Sequence, residues 1–300
     1  MPIHESTAAV NGIDIHYAES GTGKLVMLLH GFPEFWYAWR KQLQALEGTC
    51  HAVAVDMRGY NLSSKPKGNK PYRVSEVARD IVALADHFGA EKFSLAGHDW
   101  GGVIAWHIAA TSPERLDKLV VINAPHPTIM KRELRNNSKQ RRASAYIAFM
   151  RMPGAAVFLS AFNSRMLRPL LNRGLRYGYF DHDDVAAYLN AWSQPGAMRG
   201  SVAYYKAIDL FSEFRSDRRG TLPRITVPTL VIWGERDRYL LTGNLDGLED
   251  FVEDLTIHRV PDASHWIIHE KPNAISHLLK NFVSGHDALP LFDKRAHTGS

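Results

Sequence analysis

The sequence of 300 residues contains a single cysteine, Cys50, so neither an intramolecular disulfide nor a metal site built from several cysteines can form. No run approaches the roughly 20 consecutive apolar residues that a membrane-spanning helix needs. The first residues also lack the positively charged segment and apolar core of a secretory signal. We therefore expect a cytoplasmic protein with no membrane span and no metal site.

The sequence also has no large excess of positive or negative charge. Lys and Arg total 36 against 31 Asp and Glu, and the resulting formal charge of +5 is small for this length. The strongest basic run contains Lys131, Arg132, Arg135, Lys139, Arg141 and Arg142. Because neither an aromatic platform nor a known binding motif accompanies this run, we interpret it as a solvated helix face and expect no nucleic-acid partner.

Short apolar runs alternate with helical patterns in the first part of the chain. The pair Asn11-Gly12, between residues of alternating polarity, predicts an antiparallel hairpin. Buried strands are predicted at residues 25–29, 52–55, 92–95 and 119–122, and helices at 74–88 and 101–110. Strands that alternate with helices favour a mostly parallel central sheet flanked by helices.

The strand pattern stops near residue 128 and returns about a hundred residues later. The intervening residues have a helical period and many aromatic and basic side chains, which predicts a helical insertion. Strands are predicted again at residues 229–233 and 255–259, and a helix at 273–284. We expect a core of residues 1–128 and 224–285, a helical cap of residues 129–223 and a loose tail of residues 286–300.

The segment from Phe93 to Gly102 reads as a strand that turns sharply into a helix through small residues. Such a turn lets one side chain project from the carboxyl end of the sheet, and Asp99 occupies that position. A glycine-flanked aspartate can also be a simple turn or a helix cap. A carboxylate is already ionised at neutral pH, and the chemistry that suits it is displacement at a saturated carbon with a good or strained leaving group. The product would be an alkyl ester of Asp99.

Cleavage of this ester requires an activated water and a stabilised oxyanion. His265 and Asp237 each follow a predicted strand, which favours a pair in which the acid orients the imidazole. Glu235 is the alternative acid. Backbone N–H groups stabilise a tetrahedral oxyanion, and Phe32 and Trp100 stand where such donors are expected.

Five motifs together resemble the epoxide hydrolases of the α/β-hydrolase fold. They are His30-Gly-Phe-Pro-Glu34, Asp56-Met-Arg-Gly-Tyr60, Gly97-His-Asp-Trp-Gly-Gly102, Gly234-Glu-Arg-Asp237 and Ser264-His-Trp266. The resemblance spans residues 8–283. It implies the α/β-hydrolase fold with a cap, conversion of epoxides to vicinal diols, an epoxide and water as partners, and no cofactor.

The resemblance further implies two cap tyrosines that donate protons to the epoxide oxygen. Tyr146 stands seven residues before a Pro-Gly pair, as the first of these tyrosines does. Tyr205 matches the second, with its neighbour Tyr204 as an alternative. The sequence departs from the commoner family pattern at Ala203, Asn61 and Leu62. These departures affect the expected cap geometry and substrate preference more than the chemistry.

Further residues are candidates for the wall of the substrate pocket, namely His30, Pro33, Trp36, Tyr204 and Trp266. The substrate and its stereochemistry do not follow from one sequence. We also consider a homodimer, for which the sequence has no direct signal.

Other functions stay open at this point. A haloalkane dehalogenase would share Asp99, His265 and Trp100, but that family usually has an N–H-donating side chain where this sequence has Phe32. A fluoroacetate-type dehalogenase would have arginines shortly after the nucleophile. A non-catalytic binding protein on the same fold would not need nucleophile, acid and base together. A serine esterase is excluded by the aspartate at position 99.

Overall fold

A computed structural model describes residues 3–208 and 223–285 of the chain. Its eight strands are β1 (His4–Val10), β2 (Ile13–Ser20), β3 (Leu25–Leu29), β4 (His51–Val55), β5 (Phe93–His98), β6 (Leu116–Ile122), β7 (Thr229–Gly234) and β8 (Leu255–Val260). They form one sheet in the order β1-β2-β4-β3-β5-β6-β7-β8. β2 is antiparallel to both of its neighbours, and all other pairs are parallel. The predicted mostly parallel sheet is therefore confirmed.

The first two strands form the hairpin that the Asn-Gly pair predicts. Asn11 and Gly12 have φ angles of 48° and 74°, and Val10 pairs with Ile13. Positive φ at both central residues is the requirement of a type I′ turn, and Asn followed by Gly meets it at low cost.

Five helices accompany the sheet. Three of them precede β6, namely α1 (Arg40–Leu46), α2 (Val74–His87) and α3 (Trp100–Thr111). α3 begins directly after Asp99. Between β6 and β7 lie α4 (Pro127–Asn136), α5 (Ser138–Ala143), α6 (Tyr146–Arg151), α7 (Ala155–Ser164), α8 (Arg168–Tyr177), α9 (His182–Ser193) and α10 (Ala197–Ala207). α11 (Ile267–Glu270) and α12 (Pro272–Val283) complete the set around the sheet. α1 packs on α12 and α2 on α3, so strands such as β3 and β5 are buried along their whole length.

The described residues between β6 and position 208 form only helices as regular elements, as the predicted insertion requires. The exact limits of core and cap stay predictions. Residues 209–222 of the predicted cap and the predicted tail at 286–300 lie outside the described part. No described helix is both long and apolar enough to cross a lipid bilayer.

A contact between two glycines joins α10 to the core. The backbone of Gly59 lies against that of Gly200, and a Cβ atom on either residue would overlap the other. One turn later on the same helix face, the hydroxyl of Tyr204 donates a hydrogen bond of 2.9 Å to the carbonyl of Arg58. This close docking fixes where the next residue, Tyr205, enters the interior.

Candidate active site

Asp99 stands at the sharp turn between β5 and α3. Its φ of 51° and ψ of −117° are outside the regions that a non-glycine residue prefers. Hydrogen bonds hold the turn to two neighbouring strand ends, since the amide of Asp99 donates to the carbonyl of Ile122 at 3.3 Å and the amide of Gly101 donates to that of His30 at 2.9 Å. The turn directs the Asp99 side chain into a cavity between core and cap.

Small residues make this turn possible. A Cβ atom on Gly97 would overlap the backbone of Gly101, and one on Gly101 would overlap the carbonyl of Leu29. A Cβ atom on Gly31 would overlap the side chain of Asp99 itself. The glycines of the two motifs are therefore a steric requirement of the site.

His265 and Asp237 form a buried pair beside Asp99. His265 lies in the loop after β8, and its Nδ1 is 2.7 Å from Oδ2 of Asp237. Its other ring nitrogen, Nε2, lies 3.6 Å from Oδ2 of Asp99. The imidazole therefore lies between the two carboxyl groups of Asp237 and Asp99.

Asp237 is held by four hydrogen-bond donors. Its Oδ1 accepts bonds from the amides of Tyr239 and Leu240 at 2.7 and 3.0 Å, and its Oδ2 accepts from His265 and from Nδ2 of Asn123, both at 2.7 Å. Burial alone would raise the pKa of Asp237, but the charge and hydrogen bonds of His265, with these amides, lower it below the usual range. Asp237 therefore stays ionised. Glu235, the alternative acid, pairs instead with Arg259 at 2.5 Å and is not part of this group.

The same charges act on the histidine. Burial disfavours the imidazolium, but Asp237 and then Asp99 outweigh this effect and raise the pKa of His265 to about 9. His265 is therefore protonated in the resting site at neutral pH.

Phe32 and Trp100, the candidate oxyanion donors, both lie beside Asp99. The amide of Phe32 donates a hydrogen bond of 2.9 Å to Oδ1 of Asp99. Trp100 is the first residue of α3, where a backbone N–H has no acceptor within the helix. The peptide bond between Phe32 and Pro33 is cis.

Tyr146 and Tyr205 reach the cavity from cap helices α6 and α10. Their ring centroids are 6.0 Å apart, and both side chains line the cavity with Asp99. Burial is the largest effect that holds the pKa of each phenol above its ordinary value; Asp99 adds to it for Tyr146, and Tyr146 and then Asp99 add to it for Tyr205. Both tyrosines are therefore neutral hydrogen-bond donors at neutral pH.

The cavity has a volume of about 520 Å³ and is mostly apolar. Of the predicted pocket residues, Pro33 and Trp266 line it. A smaller space of about 70 Å³ adjoins it, and Asp99, Tyr146 and Tyr205 line both. The reactive groups thus lie where a large and a small apolar space meet.

Three pocket predictions are wrong, since His30, Trp36 and Tyr204 line neither of these spaces. His30 is fully buried, with Nδ1 2.8 Å from the carbonyl of Gly31 and Nε2 accepting from the amide of Met57 at 3.2 Å. It therefore holds the loop that presents the Phe32 amide.

Trp36 and Tyr204 also make their contacts outside the cavity. Trp36 packs beside Phe35 and Tyr37 in the core. Consecutive residues of a helix point about 100° apart, so Tyr204 and Tyr205 face different surroundings. Tyr204 is 1% exposed, and its hydroxyl donates a hydrogen bond to the Arg58 carbonyl. Only Tyr205 of this pair reaches the cavity.

Several functional neighbours were missed from the sequence. Tyr239 lines the cavity, with its ring 5.4 Å from that of His265. Asn123 accepts a bond from the amide of Gly234 at 2.8 Å as well as donating to Asp237. Asn123 could have been predicted from the sequence, because it directly follows a buried strand. The prediction of Asp237 depended on the same kind of position.

A second buried carboxylate, that of Glu34, is linked to His265 through the side chain of His98. Glu34 is 2% exposed, and its two oxygens lie 2.5 Å from Nε2 of His269 and 3.2 Å from Nδ1 of His98. The hydroxyl of Tyr188, on cap helix α9, donates to it at 3.1 Å. His98 in turn contacts the carbonyl of His265 at 2.8 Å. Burial would raise the pKa of Glu34, but the two histidines lower it well below its usual range.

The chain is similar to known proteins along most of its length. Residues 24–272 match the family described as the alpha/beta hydrolase fold. An AB hydrolase superfamily protein of Bacillus subtilis is 38% identical over 281 residues, covering 91% of this chain and 95% of that protein. Epoxide hydrolase 4 of Homo sapiens is 34% identical over 284 residues, covering 91% of this chain and 76% of that protein.

Solved structures of an epoxide hydrolase are also similar to this chain. An epoxide hydrolase from Bacillus megaterium, crystallised with an inhibitor, has a TM-score of 0.87 and 36% identity, covering 93% of this chain and 99% of that one. A variant of that enzyme has been crystallised with its product, a naphthyloxy-propane diol. The family match covers most of the chain, and each match to these relatives covers at least 91% of it. The chain therefore belongs to the epoxide hydrolases of the α/β-hydrolase fold, the family that its motifs resemble.

Proposed function

We propose that this protein hydrolyses epoxides to vicinal diols through an alkyl ester of Asp99. One observation carries the proposal: Asp99, His265, Tyr146 and Tyr205 line a single, mostly apolar cavity. A carboxylate nucleophile facing two neutral phenols suits a substrate that combines an electrophilic carbon with a basic oxygen.

In the first step, Oδ2 of Asp99 attacks one ring carbon and the carbon–oxygen bond of the epoxide breaks. The leaving oxygen stays attached to the substrate as an alkoxide, so it needs a proton. Tyr146 and Tyr205 donate hydrogen bonds to it, and one of them supplies the proton. Their neutral state supports this role.

In the second step, His265 takes a proton from water, and the hydroxide adds to the ester carbonyl carbon of Asp99. The negative charge develops on Oδ1, the atom that the Phe32 amide already holds at 2.9 Å. Collapse of this intermediate releases the diol and restores the carboxylate. Before this step the imidazolium of the resting site passes its own proton to the phenoxide, so the proton that His265 then takes from water restores the imidazolium. The net change is the addition of one water.

Formation of the ester also favours the neutral form of His265. Asp99 raises the pKa of His265 in the free enzyme, and esterification removes that negative charge. The imidazole therefore loses its proton more readily in the intermediate, when it is needed as a base, than in the resting site.

No further group is required by this scheme. The chain supplies nucleophile, base and proton donors, and the partners are an epoxide and water without a cofactor. We place the reaction in the cytoplasm, where the single buried thiol of Cys50 stays reduced.

Halide displacement is the competing use of the same nucleophile. A departing halide is stable as an anion and gains little from a proton, whereas an alkoxide gains a great deal. The phenols of Tyr146 and Tyr205 opposite Asp99 therefore favour the epoxide over the haloalkane. The aromatic ring of Phe32, which packs against Tyr205 at 5.5 Å, offers no side-chain donor to a halide.

A substrate panel tests the proposal. Purified protein is incubated separately with styrene oxide, a haloalkane and an aryl ester, and the release of diol, halide and phenol is measured. Diol without halide supports epoxide hydrolysis. Halide release would assign a dehalogenase, and no product from a broad set of epoxides would assign a binding protein.

The covalent step has its own test. One turnover in heavy-oxygen water, with enzyme in excess over epoxide, should place an unlabelled oxygen from Asp99 in the diol. Label in the product of that first turnover would exclude the ester. Later turnovers should carry the label, because water oxygen then resides in the carboxylate.

A further inference from the structure

The outer surface of the cap exposes an unusual number of apolar side chains. Eight large hydrophobic residues are exposed in the described part of the chain, and six of them lie between Met152 and Tyr177. They are Met152, Val157, Phe158, Phe162, Met166 and Tyr177, with exposed fractions from 49% to 87%. Single exposed apolar residues are common, but a concentration in one part of a fold marks an interaction site. We call these six residues the apolar cap surface.

Helix α7 accounts for much of this surface. Its inward residue, Leu159, is 2% exposed and lines the substrate cavity. Phe158 and Phe162 are four residues apart, so they lie on one face, and both are exposed. α7 therefore has a second apolar face, where Phe158 is 57% exposed beside the ring of Phe149 and Phe162 is 87% exposed.

The segment that carries this surface has positive charges only, although Glu270 from outside the segment pairs with Arg173 at 3.5 Å. From Tyr146 to Tyr177 there are five arginines and not one Asp or Glu, although the whole chain has 31 acidic residues. The five are Arg151, Arg165, Arg168, Arg173 and Arg176. Arg165 and Arg176 are exposed and directly precede Met166 and Tyr177 of the apolar cap surface. This combination fits a partner that is apolar inside and negatively charged at its rim.

The surface also adjoins the entrance to the active site. Met166 is 49% exposed and at the same time lines the cavity that holds Asp99. Leu167 and Leu170 continue the same apolar wall. A molecule bound to the apolar cap surface would therefore meet an apolar path toward the nucleophile.

We propose that the apolar cap surface docks this protein onto the interface of an anionic lipid bilayer. Exposed Phe, Val and Met side chains enter the boundary between headgroups and acyl chains, and the arginines contact acidic headgroups. The same docking brings apolar substrates from the lipid to the cavity. It is a peripheral association that requires no membrane-spanning segment.

A second copy of the chain fits this surface less well. In a two-fold dimer the same patch meets itself, so the arginines of both copies would approach one another, and the segment that carries them has no carboxylate of its own. Like charges at an interface oppose association. An anionic membrane offers both the opposite charge and the apolar interior.

Vesicle sedimentation tests this proposal without relying on catalysis. The protein is centrifuged with vesicles of phosphatidylcholine alone or mixed with phosphatidylglycerol, at low and high salt. We expect binding to the mixed vesicles that salt weakens, and a loss of at least about tenfold in the double variant Val157→Ser/Phe162→Ser. Arg165→Gln/Arg176→Gln should weaken binding to the mixed vesicles as well.

The control is Leu62→Ser, which removes a side chain that is 53% exposed but lies between β4 and α2, outside the apolar cap surface. This variant should bind vesicles like the unaltered protein. Failure of the unaltered protein to bind mixed vesicles would overturn the proposal, and so would binding that survives both double variants. A dimer in solution that Val157→Ser/Phe162→Ser dissociates would assign the surface to a second copy and also overturn it.

Discussion

The backbone amide of Phe32 donates a hydrogen bond of 2.9 Å to Oδ1 of Asp99, while the other carboxylate oxygen, Oδ2, lies 3.6 Å from Nε2 of His265. The two oxygens are therefore not equivalent. Oδ1 already occupies the place where the proposed second step develops negative charge, and Oδ2 is left to attack. The resting geometry of this pair requires little rearrangement between the two steps.

The first prediction separates the two steps by mutation. Asp99→Asn should lower turnover by roughly 10⁴-fold or more, because an amide does not form the alkyl ester. His265→Gln should retain the attack and lose the water-activating base, so a covalent adduct accumulates. Intact-protein mass spectrometry after incubation with a reactive epoxide measures this adduct. An unmodified His265→Gln protein that has consumed one equivalent of epoxide would contradict the assigned roles.

The second prediction uses two adjacent tyrosines as a matched pair. Tyr205→Phe should slow ester formation by about 10²-fold, since it removes one of two proton donors. Tyr204→Phe removes only the bond to the Arg58 carbonyl, so it should cost about 1 kcal/mol of unfolding free energy with little change in turnover. Pre-steady-state fluorescence and denaturant unfolding measure the two effects. A larger kinetic loss in Tyr204→Phe would reverse the assignment.

The third prediction concerns the pKa of His265, which the two carboxylates raise to about 9 against the opposing effect of burial. Asp99→Asn should lower this pKa, and Asp237→Asn should lower it further, because Asp237 has the larger effect. NMR titration of the histidine ring measures each value. Glu235→Gln is the control, since that carboxylate pairs with Arg259 instead. An unchanged pKa in Asp99→Asn would mean that esterification does not adjust the base.

The fourth prediction concerns stability in acid. The folded-state pKa of Glu34 is depressed, so this residue stabilises the fold above its unfolded pKa of about 4.3, and that stabilisation is lost as pH falls. Glu34→Gln should therefore lower the unfolding free energy at pH 7 by about 1–3 kcal/mol. The difference from the unaltered protein should shrink below about pH 4. Thermal melts across this range measure it, and a constant difference would show that the charge of Glu34 is not responsible.

The sequence predicted the elements that depend on local pattern. The Asn11-Gly12 turn, the buried strands and the turn at Asp99 each have a signal within about ten residues, and each lies where it was expected. The fold class, the family and the enzyme class were predicted correctly from the five motifs. These motifs lie at the carboxyl ends of strands, where neighbouring strands bring their loops together.

The interior of the cap was harder to predict. Tyr204 and Tyr205 are chemically identical, and only the docking of Gly200 on Gly59 determines which of them faces the cavity. The contact of Tyr188 with Glu34 joins residues 154 positions apart, which no local pattern reveals. His30 was expected in the pocket wall because it belongs to a catalytic motif, but its role is to brace the loop.

The proposed proton donors and the nucleophile come from different layers of the fold. Asp99, His265 and Asp237 stand on loops of the sheet, whereas Tyr146 and Tyr205 stand on helices inserted between β6 and β7. Replacing the inserted helices with those of a relative would leave the ester-forming and ester-cleaving groups intact. Such a chimera would differ in which leaving groups it can activate, so the insertion is the place to redirect this scaffold toward new electrophiles.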